Sequence, residues 1–497
     1  MISLANAREM KAIDSYSIQT LGIPSLVLME RAAYCVARHI DEVLKDRENR
    51  TVIAVCGSGN NGGDGLAVVR ILYTMGYNVA WYMAGNTDHA TQETRLQMDI
   101  LKRMEIRECK ALDELKGAGL IVDALFGIGL TRNVEWDYAR TIEAINTAGS
   151  LVCAVDMPSG VSTDHGQILG CAVKADFTVT FGVKKLGLVL YPGAALGGRI
   201  YVENIGFPAI AEEQAHIHTF ALEDKDLPSC LPKRCPYSNK GTYGKVLIIA
   251  GSPQMAGACF FSARAAYGCG CGLVRVFTPK ENHDVLLTRL PEAVMTLYDH
   301  HQVDLGALDR SLSWADAVVI GPGLSCDDMA KKILEHTLKH CRVPLLVDAD
   351  GLNLLAENPG LWEWVPENTV ITPHLGEMSR LTKDPVHHLA EDLPKACREF
   401  AEAHKVICVL KDARTVISDG TDSYINLSGN DGMATGGSGD VLSGIIGGFL
   451  AQGLPPLQAA SLGCFVHGCA GDKGREVKGA YGLLASDIIQ YMSKVIK

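Results

Sequence analysis

The sequence predicts two successive α/β units, each a mostly parallel sheet with helices on both faces. Three observations carry this. Short β-branched runs alternate with helical stretches from residue 51 to about 215, and again from 241 onward. The runs are apolar throughout rather than alternating, as strands covered on both sides are. At 497 residues the chain is long enough for more than one buried core. Pro, Lys and Cys crowd and no period survives in the stretch between, so the chain divides into residues 1–215, a linker at 216–240, and residues 241–497.

Two helices are predicted within 6–40, broken at Gly22-Ile23-Pro24, followed by strands at 51–56, 78–83, 120–125, 151–157 and 177–181. In the second unit the strands are 245–250, 273–278, 317–320, 344–347, 370–372 and 406–410, with closing helices over 437–451 and 456–471. Lys+Arg 46 against Asp+Glu 57 gives a net charge of −11, which argues against a mainly electrostatic nucleic-acid or anionic-membrane partner without forbidding a local basic site. Residues 1–10 carry charge and no apolar core of a signal peptide, and glycines interrupt every apolar stretch before the roughly 18 residues a membrane span needs. The 16 cysteines form no C-x-x-C pair and lie in apolar runs, as buried reduced thiols of a cytoplasmic protein do.

In the first unit, strand 51–56 runs into Gly57-Ser58-Gly59-Asn60-Asn61-Gly62-Gly63-Asp64-Gly65 and a helix over 66–75. Glycines there let backbone N–H groups approach an anion at a helix start, so a phosphate-bearing ligand is expected. The G-x-G-x-x-G spacing of Gly57, Gly59 and Gly62 lacks the acidic partner that a dinucleotide fingerprint requires at the next strand end. Two further strand ends carry Asp123 and Asp156, the latter within Asp156-Met157-Pro158-Ser159-Gly160. Either carboxylate alone is as well suited to capping a turn as to acting on a substrate. Their shared position at the carboxyl edge favours chemistry, and the gathered oxygens suit a hard cation.

In the second unit, Asn430-Asp431-Gly432-Met433-Ala434-Thr435-Gly436-Gly437-Ser438-Gly439-Asp440 leads into a helix. Its glycines and helix start form an anion hole for a transferring phosphoryl group, with Asp440 beside it as a base. No G-x-x-x-x-G-K-[ST] occurs. Lys411-Asp412-Ala413-Arg414-Thr415 offers a cation and a hydroxyl to a nucleotide, while Gly321-Pro322-Gly323-Leu324 and Thr372-Pro373-His374 are further strand-end turns. Alone, the first is a solvated hairpin and His374 a structural histidine.

The motifs GNNGGDG (59–65), VDALFG (122–127), GIGLTRN (127–133) and VDMPSG (155–160) closely resemble the NAD(P)H-hydrate epimerase domain over residues 1–215. That resemblance implies a Rossmann-like three-layer fold. It also implies a site for the hydrated nicotinamide nucleotide at Asn60, Asn61, Gly62, Gly63, Asp64, Gly127, Ile128, Gly129, Leu130, Thr131, Arg132, Asn133 and Asp156. A potassium ion on Asn61, Asp123 and Ser159 and interconversion of R and S configurations at ring carbon C6 are implied as well, with Asp156 as proton shuttle. KGTYGKVLIIAG (240–251), Leu290-Pro291-Glu292, DADGLNLLA (348–356) and GMATGGSGDVLSG (432–444), with the turns at Gly321–Leu324 and Thr372–Glu377, resemble the ribokinase-like ADP/ATP-dependent NAD(P)H-hydrate dehydratases. By that resemblance Ala258, Gly323, His374 and Asp440 contact the hydrated nucleotide. Lys411, Asp412, Ala413, Arg414, Thr415 and Gly439 contact ADP or ATP, whose phosphates magnesium bridges.

The implied function is repair of NADHX and NADPHX: epimerisation, then dehydration through phosphorylation of the C6 hydroxyl with Asp440 as base. The tandem arrangement resembles the bacterial form that uses ADP, and a homo-oligomer is expected. Leu375 and Asp431 stand where the family commonly has Pro, and Asp412 where it has Gly. An added carboxylate near phosphates weakens binding by like-charge repulsion unless it points outward. The alternative is a ribokinase-like small-molecule kinase carrying a non-catalytic nucleotide-binding module.

Overall fold

A computed structural model describes residues 1–496. One compact unit is Ser3–Ile217; the other takes up the chain from His218 onward, together with Met1–Ile2.

The first unit's strands are β1 (Ile2–Ala5), β2 (Thr51–Cys56), β3 (Asn78–Met83), β4 (Leu120–Ala124), β5 (Leu151–Val155), β6 (Phe177–Phe181), β7 (Lys184–Lys185) and β8 (Arg199–Glu203). Six form a parallel sheet in the order β3-β2-β4-β5-β6-β8. Leu4 and Ala5 of β1 pair separately with β7. Because side chains alternate along a strand, Val52, Ala54 and Cys56 enter one core and Ile53 and Val55 the other. The sequence did not reveal β8, an edge strand whose residues are exposed or half-buried and so present no apolar run.

The glycine-rich stretch after β2 differs from expectation: Asn60–Thr74 is one helix, so residues 60–65 are helical rather than loop. Tight packing explains this. A Cβ on Gly62 would lie 1.8 Å from the Gly57 carbonyl oxygen, so the helix start seats directly on the strand-end backbone only without a side chain there.

The second unit's strands are β9 (Thr219–Ala221), β10 (Lys245–Ile249), β11 (Leu273–Pro279), β12 (Val294–Tyr298), β13 (Ala317–Ile320), β14 (Leu345–Val347), β15 (Val370–Ile371), β16 (Ile407–Leu410), β17 (Val416–Ser418) and β18 (Ser423–Ile425). They are ordered β12-β11-β10-β13-β14-β15-β16-β17-β18-β9. The sheet is parallel from β12 to β16 and antiparallel through β17 and β18. Residues 219–221, within the stretch read as linker, pair with β18. Three-residue strands such as β9, β17 and β18 are too short to show a period. Helices Ser438–Ala451 and Pro456–Lys478 follow, and every residue of the first from Val441 onward is buried.

All 16 cysteines are free, but Cys235 and Cys326 are exposed and Cys35, Cys171, Cys230 and Cys469 only half-buried, which corrects the expectation of uniformly buried thiols. Among the described residues, no helix is long and apolar enough to cross a membrane.

Candidate active sites

In the first unit, Asp156 follows β5 with φ +64°, a left-handed backbone that few non-glycine residues adopt. Its Oδ1 accepts hydrogen bonds from Lys185 Nζ (2.6 Å), Thr180 Oγ1 (2.9 Å) and the Phe181 amide (3.3 Å). Lys185 is 1% exposed and gives its other protons to Thr180 Oγ1 (2.8 Å) and the Phe181 carbonyl (2.7 Å). Burial lowers its ammonium pKa, and Asp156 opposes that. Asp64 and Asp14 face the same carboxylate: burial first, then Asp156, raises both, Asp64 the more. One carboxylate held by a lysine beside another driven toward its neutral form is an acceptor–donor pair.

These groups line a cavity of about 180 Å³ with Asn60, Asn61, Gly127, Ile128 and apolar side chains including Leu28 and Phe181. A second cavity of about 510 Å³ shares Asn60, Asn61 and Gly127 and adds Gly129, Leu130, Thr131 and Arg132. Behind both, fully buried Asp123 accepts from Ser159 Oγ (2.6 Å), the Ser159 amide (2.8 Å) and the Leu125 amide (3.3 Å). No cationic side chain pairs with it among the described residues, and burial pushes its pKa up to about 6 against those bonds. Ser159 Oγ also accepts from the Phe126 amide (2.9 Å). The Asn61 side chain stands beside Gly127 with its buried Nδ2 unpartnered. A buried carboxylate without a counter-charge, a hydroxyl and a side-chain amide oxygen are a donor set for a hard monovalent cation.

In the second unit, the carboxyl ends of four neighbouring strands, β13 to β16, supply the turn at Gly321, then Asp348, His374 and Lys411. Gly321 has φ +120°, and a Cβ there would lie 1.9 Å from the Asp348 carbonyl oxygen, so the two turns meet only through glycine. Lys411 Nζ bonds Asp348 Oδ1 at 3.0 Å, stands 3.9 Å from Glu377 Oε2, and comes within 3.5 Å of where a side chain on Gly439 would begin. Ser443 Oγ donates to Asp348 Oδ2. Asp440 occupies the first turn of Ser438–Ala451. Burial, then Asp348, raises its pKa to about 7, Lys411 opposing. That places a carboxyl near the poise a general base needs at neutral pH.

His374 caps Leu375–Thr382, its Nδ1 accepting from the Gly376 amide (3.0 Å). Burial, then Lys411 and Arg380, lowers its pKa. His467 Nε2 lies 3.3 Å from Ser438 Oγ, and burial lowers its pKa to about 4, so the imidazole is neutral.

Of the expected residues, Asn60, Asn61, Asp64, Gly127, Ile128 and Asp156 share the inner cavity of the first unit. Gly62 and Gly63 instead pack behind the helix start, a Cβ on Gly63 meeting Met29 and Thr94, and Asn133 is exposed outside both cavities. In the second unit a Cβ on Gly323 would lie 2.7 Å from that of Ala258, so these two come together, as do Lys411, Gly439 and Asp440. Asp412 and Ala413 are exposed, and Arg414 Nη1 turns to the Leu427 carbonyl (2.8 Å). Asp431 pairs with Arg475 at 2.5 Å, which neutralises the added carboxylate. Sequence reasoning missed Lys185, Asp14, Glu377, Ser443 and His467, and gave Asp348 no role. Asp348 was findable, since it ends a buried strand as Asp123 and Asp156 do.

The protein-family model described as "NAD(P)H-hydrate dehydratase" matches residues 246–494, and "YjeF-related protein N-terminus" matches residues 25–187. The chain is 39% identical to a protein of Thermofilum pendens named bifunctional NAD(P)H-hydrate repair enzyme Nnr, over 100% of this chain and 96% of that one. It is 35% identical to the Escherichia coli protein of that name, over 99% and 93%. The solved ADP/ATP-dependent NAD(P)H-hydrate dehydratase of Bacillus subtilis, co-crystallised with ATP and Mg2+, is similar at 28% identity and a TM-score of 0.50, covering 56% of this chain and 97% of that one.

Proposed function

This chain belongs to the bifunctional NAD(P)H-hydrate repair enzymes, an epimerase joined to a nucleotide-dependent dehydratase, and from that premise we propose that Asp156 and Asp440 carry the protons of its two reactions. For the dehydratase, the observation that carries this is Asp440, its pKa raised to about 7, at a glycine-rich helix start within electrostatic reach of Asp348 and Lys411. The C6 hydroxyl of the hydrate attacks the terminal phosphorus of the nucleotide while Asp440 takes its proton. The bond to the nucleotide's bridging oxygen breaks, releasing AMP from ADP or ADP from ATP. Phosphate then leaves C6 with the bonding pair, C5 loses a proton, and the C5–C6 double bond returns. Hydroxide is a poor leaving group and phosphate a good one.

Lys411 and the first-turn amides of Gly439 and Asp440 receive the phosphates. Asp348, Glu377 and Asp440 put three carboxyl groups around one lysine. A polyphosphate therefore fits only with an accompanying cation, which suits Mg2+; when bound it neutralises phosphate charge. We take ADP as the donor, as the tandem arrangement of the two domains implies. In the epimerase, Asp156 accepts the C6 hydroxyl proton and Asp64 supplies one as the C6–N1 bond opens; reclosure on either face gives either configuration. The test is incubation of the full chain with NADHX. Without nucleotide, R and S forms should equilibrate. With Mg2+ and ADP or ATP, run separately, absorbance of the restored dihydronicotinamide should rise. No recovery with either nucleotide refutes the dehydratase assignment, and recovery with ATP alone refutes the choice of ADP.

Potassium is proposed on Asp123, Ser159 and Asn61. Asp123 has a folded pKa near 6, above its unfolded value near 4. Its ionised form therefore destabilises the fold, by about 3 kcal/mol once the pH exceeds both values, and that penalty vanishes as pH falls. A bound cation offsets it. K+ should thus raise the melting temperature at pH 7.5 relative to tetramethylammonium at equal ionic strength and have little effect at pH 5, and Asp123→Asn should remove the response. An equal K+ response in the variant refutes this seat. Free thiols throughout fit a reducing compartment such as the cytoplasm.

A further inference from the structure

Helices Leu305–Trp314 and Asp328–His340 precede β13 and β14 respectively, and they carry a cluster that neither reaction uses. His336 and His340 stand one turn apart on one helix face with rings stacked at 4.1 Å. Asp309 reaches across from the other helix, its Oδ1 2.6 Å from His336 Nε2. A plain histidine–carboxylate pair accounts for that contact but leaves His340 unexplained. The Nδ1 of His340 donates to the His336 carbonyl at 2.8 Å, which fixes its tautomer and leaves Nε2 a lone pair with no protein partner. Binding one ring nitrogen to a backbone carbonyl is how proteins aim the other at a metal. One donor atom from each of the three residues lies within 4.8 Å of the others.

We propose that Asp309, His336 and His340 form a site for a divalent transition-metal ion of the zinc class, completed by water. Two imidazoles and a carboxylate favour Zn2+, Ni2+ or Co2+ over Mg2+, which prefers oxygen ligands, so the site is chemically separate from the magnesium that accompanies the nucleotide. The ion takes the place of the hydrogen between His336 Nε2 and Asp309, with His336 ligating as the neutral imidazole protonated on Nδ1. Tetrahedral ligands at about 2.0–2.1 Å are farther apart than 2.6 Å, and the Asp309 side chain, 50% exposed, has room to withdraw. The ion would clasp the two helices whose intervening segment contains the Gly321–Leu324 turn of the dehydratase site.

The test uses the full chain, without an affinity tag and stripped by chelation. Equilibrium dialysis against Zn2+ in excess Mg2+ should give one high-affinity ion per chain, with a dissociation constant in the micromolar range. His340→Gln and Asp309→Asn should each weaken it at least tenfold, while melting as the parent does in EDTA. Zn2+ should raise the melting temperature of the parent and not of His336→Gln/His340→Gln. Because Cys235 and Cys326 are exposed, Co2+ spectra supply the second readout. Ligand-field bands without thiolate charge transfer support the site. A thiolate band at one equivalent, unchanged Zn2+ affinity in the double histidine variant, or no binding below millimolar Zn2+ each overturns it.

Discussion

Changing Asp440 to asparagine is expected to slow nucleotide-dependent recovery of NADH from its hydrate by about 10²–10⁴-fold, the usual contribution of a positioned general base. Epimerisation by the same molecule should be untouched. Asparagine keeps the shape of the side chain, so affinity for hydrate and nucleotide should change little and the loss should fall in kcat. The pH profile is the sharper readout. A base works deprotonated, and Asp440 has its pKa raised to about 7 by burial and Asp348. Wild-type kcat/KM should therefore climb tenfold per pH unit below about 7 and level off above, and the asparagine variant should lack that limb. Lys411 opposes the rise, so Lys411→Met should move the limb to higher pH. Wild-type speed in Asp440→Asn, or an unchanged limb, would refute the assignment.

Asp156→Asn should reduce interconversion of the two C6 epimers by a similar factor, read by chiral chromatography without nucleotide, and should also destabilise the chain. Lys185 would be left 1% exposed and without its carboxylate, and orphaning a buried charge costs about 3–5 kcal/mol. The two effects are separable. Asp156→Asn/Lys185→Met removes both charges, so it should recover most of the melting temperature and none of the epimerisation. If activity returned along with stability, Asp156 would be a structural partner of Lys185 and no proton carrier.

The parallel character of the first unit's six-stranded sheet and of β12 to β16 was legible because β2, β5, β10, β13 and β16 are almost wholly apolar runs and helices separate the strands. Strands β8 and β12 lie on sheet edges, expose part of their residues and carry no such signature. The positions of Asp123 and Asp156 at strand ends and of Asp440 at a glycine-rich helix start were legible from local context. Lys185 was not: nothing in Lys184-Lys185 distinguishes a lysine buried under Asp156 from its neighbour, because the burial arises from the return of the chain between β6 and β8. Asp348, Lys411 and Glu377 likewise converge only when β14, β15 and β16 lie side by side. The helical state of residues 60–65 escaped propensity, since three glycines argue against a helix unless packing demands them.

The inner cavity of the first unit, at about 180 Å³, is smaller than the roughly 300 Å³ at which pockets for drug-sized ligands begin. If the hydrate is bound as proposed, the damaged ring fills this cavity and the adenosine end lies in the wider trough alongside. An inspector that examines only the injured headgroup has little means of telling whether a 2′-phosphate hangs from the far ribose. On that reading the first unit is expected to epimerise hydrates with and without a 2′-phosphate at similar rates.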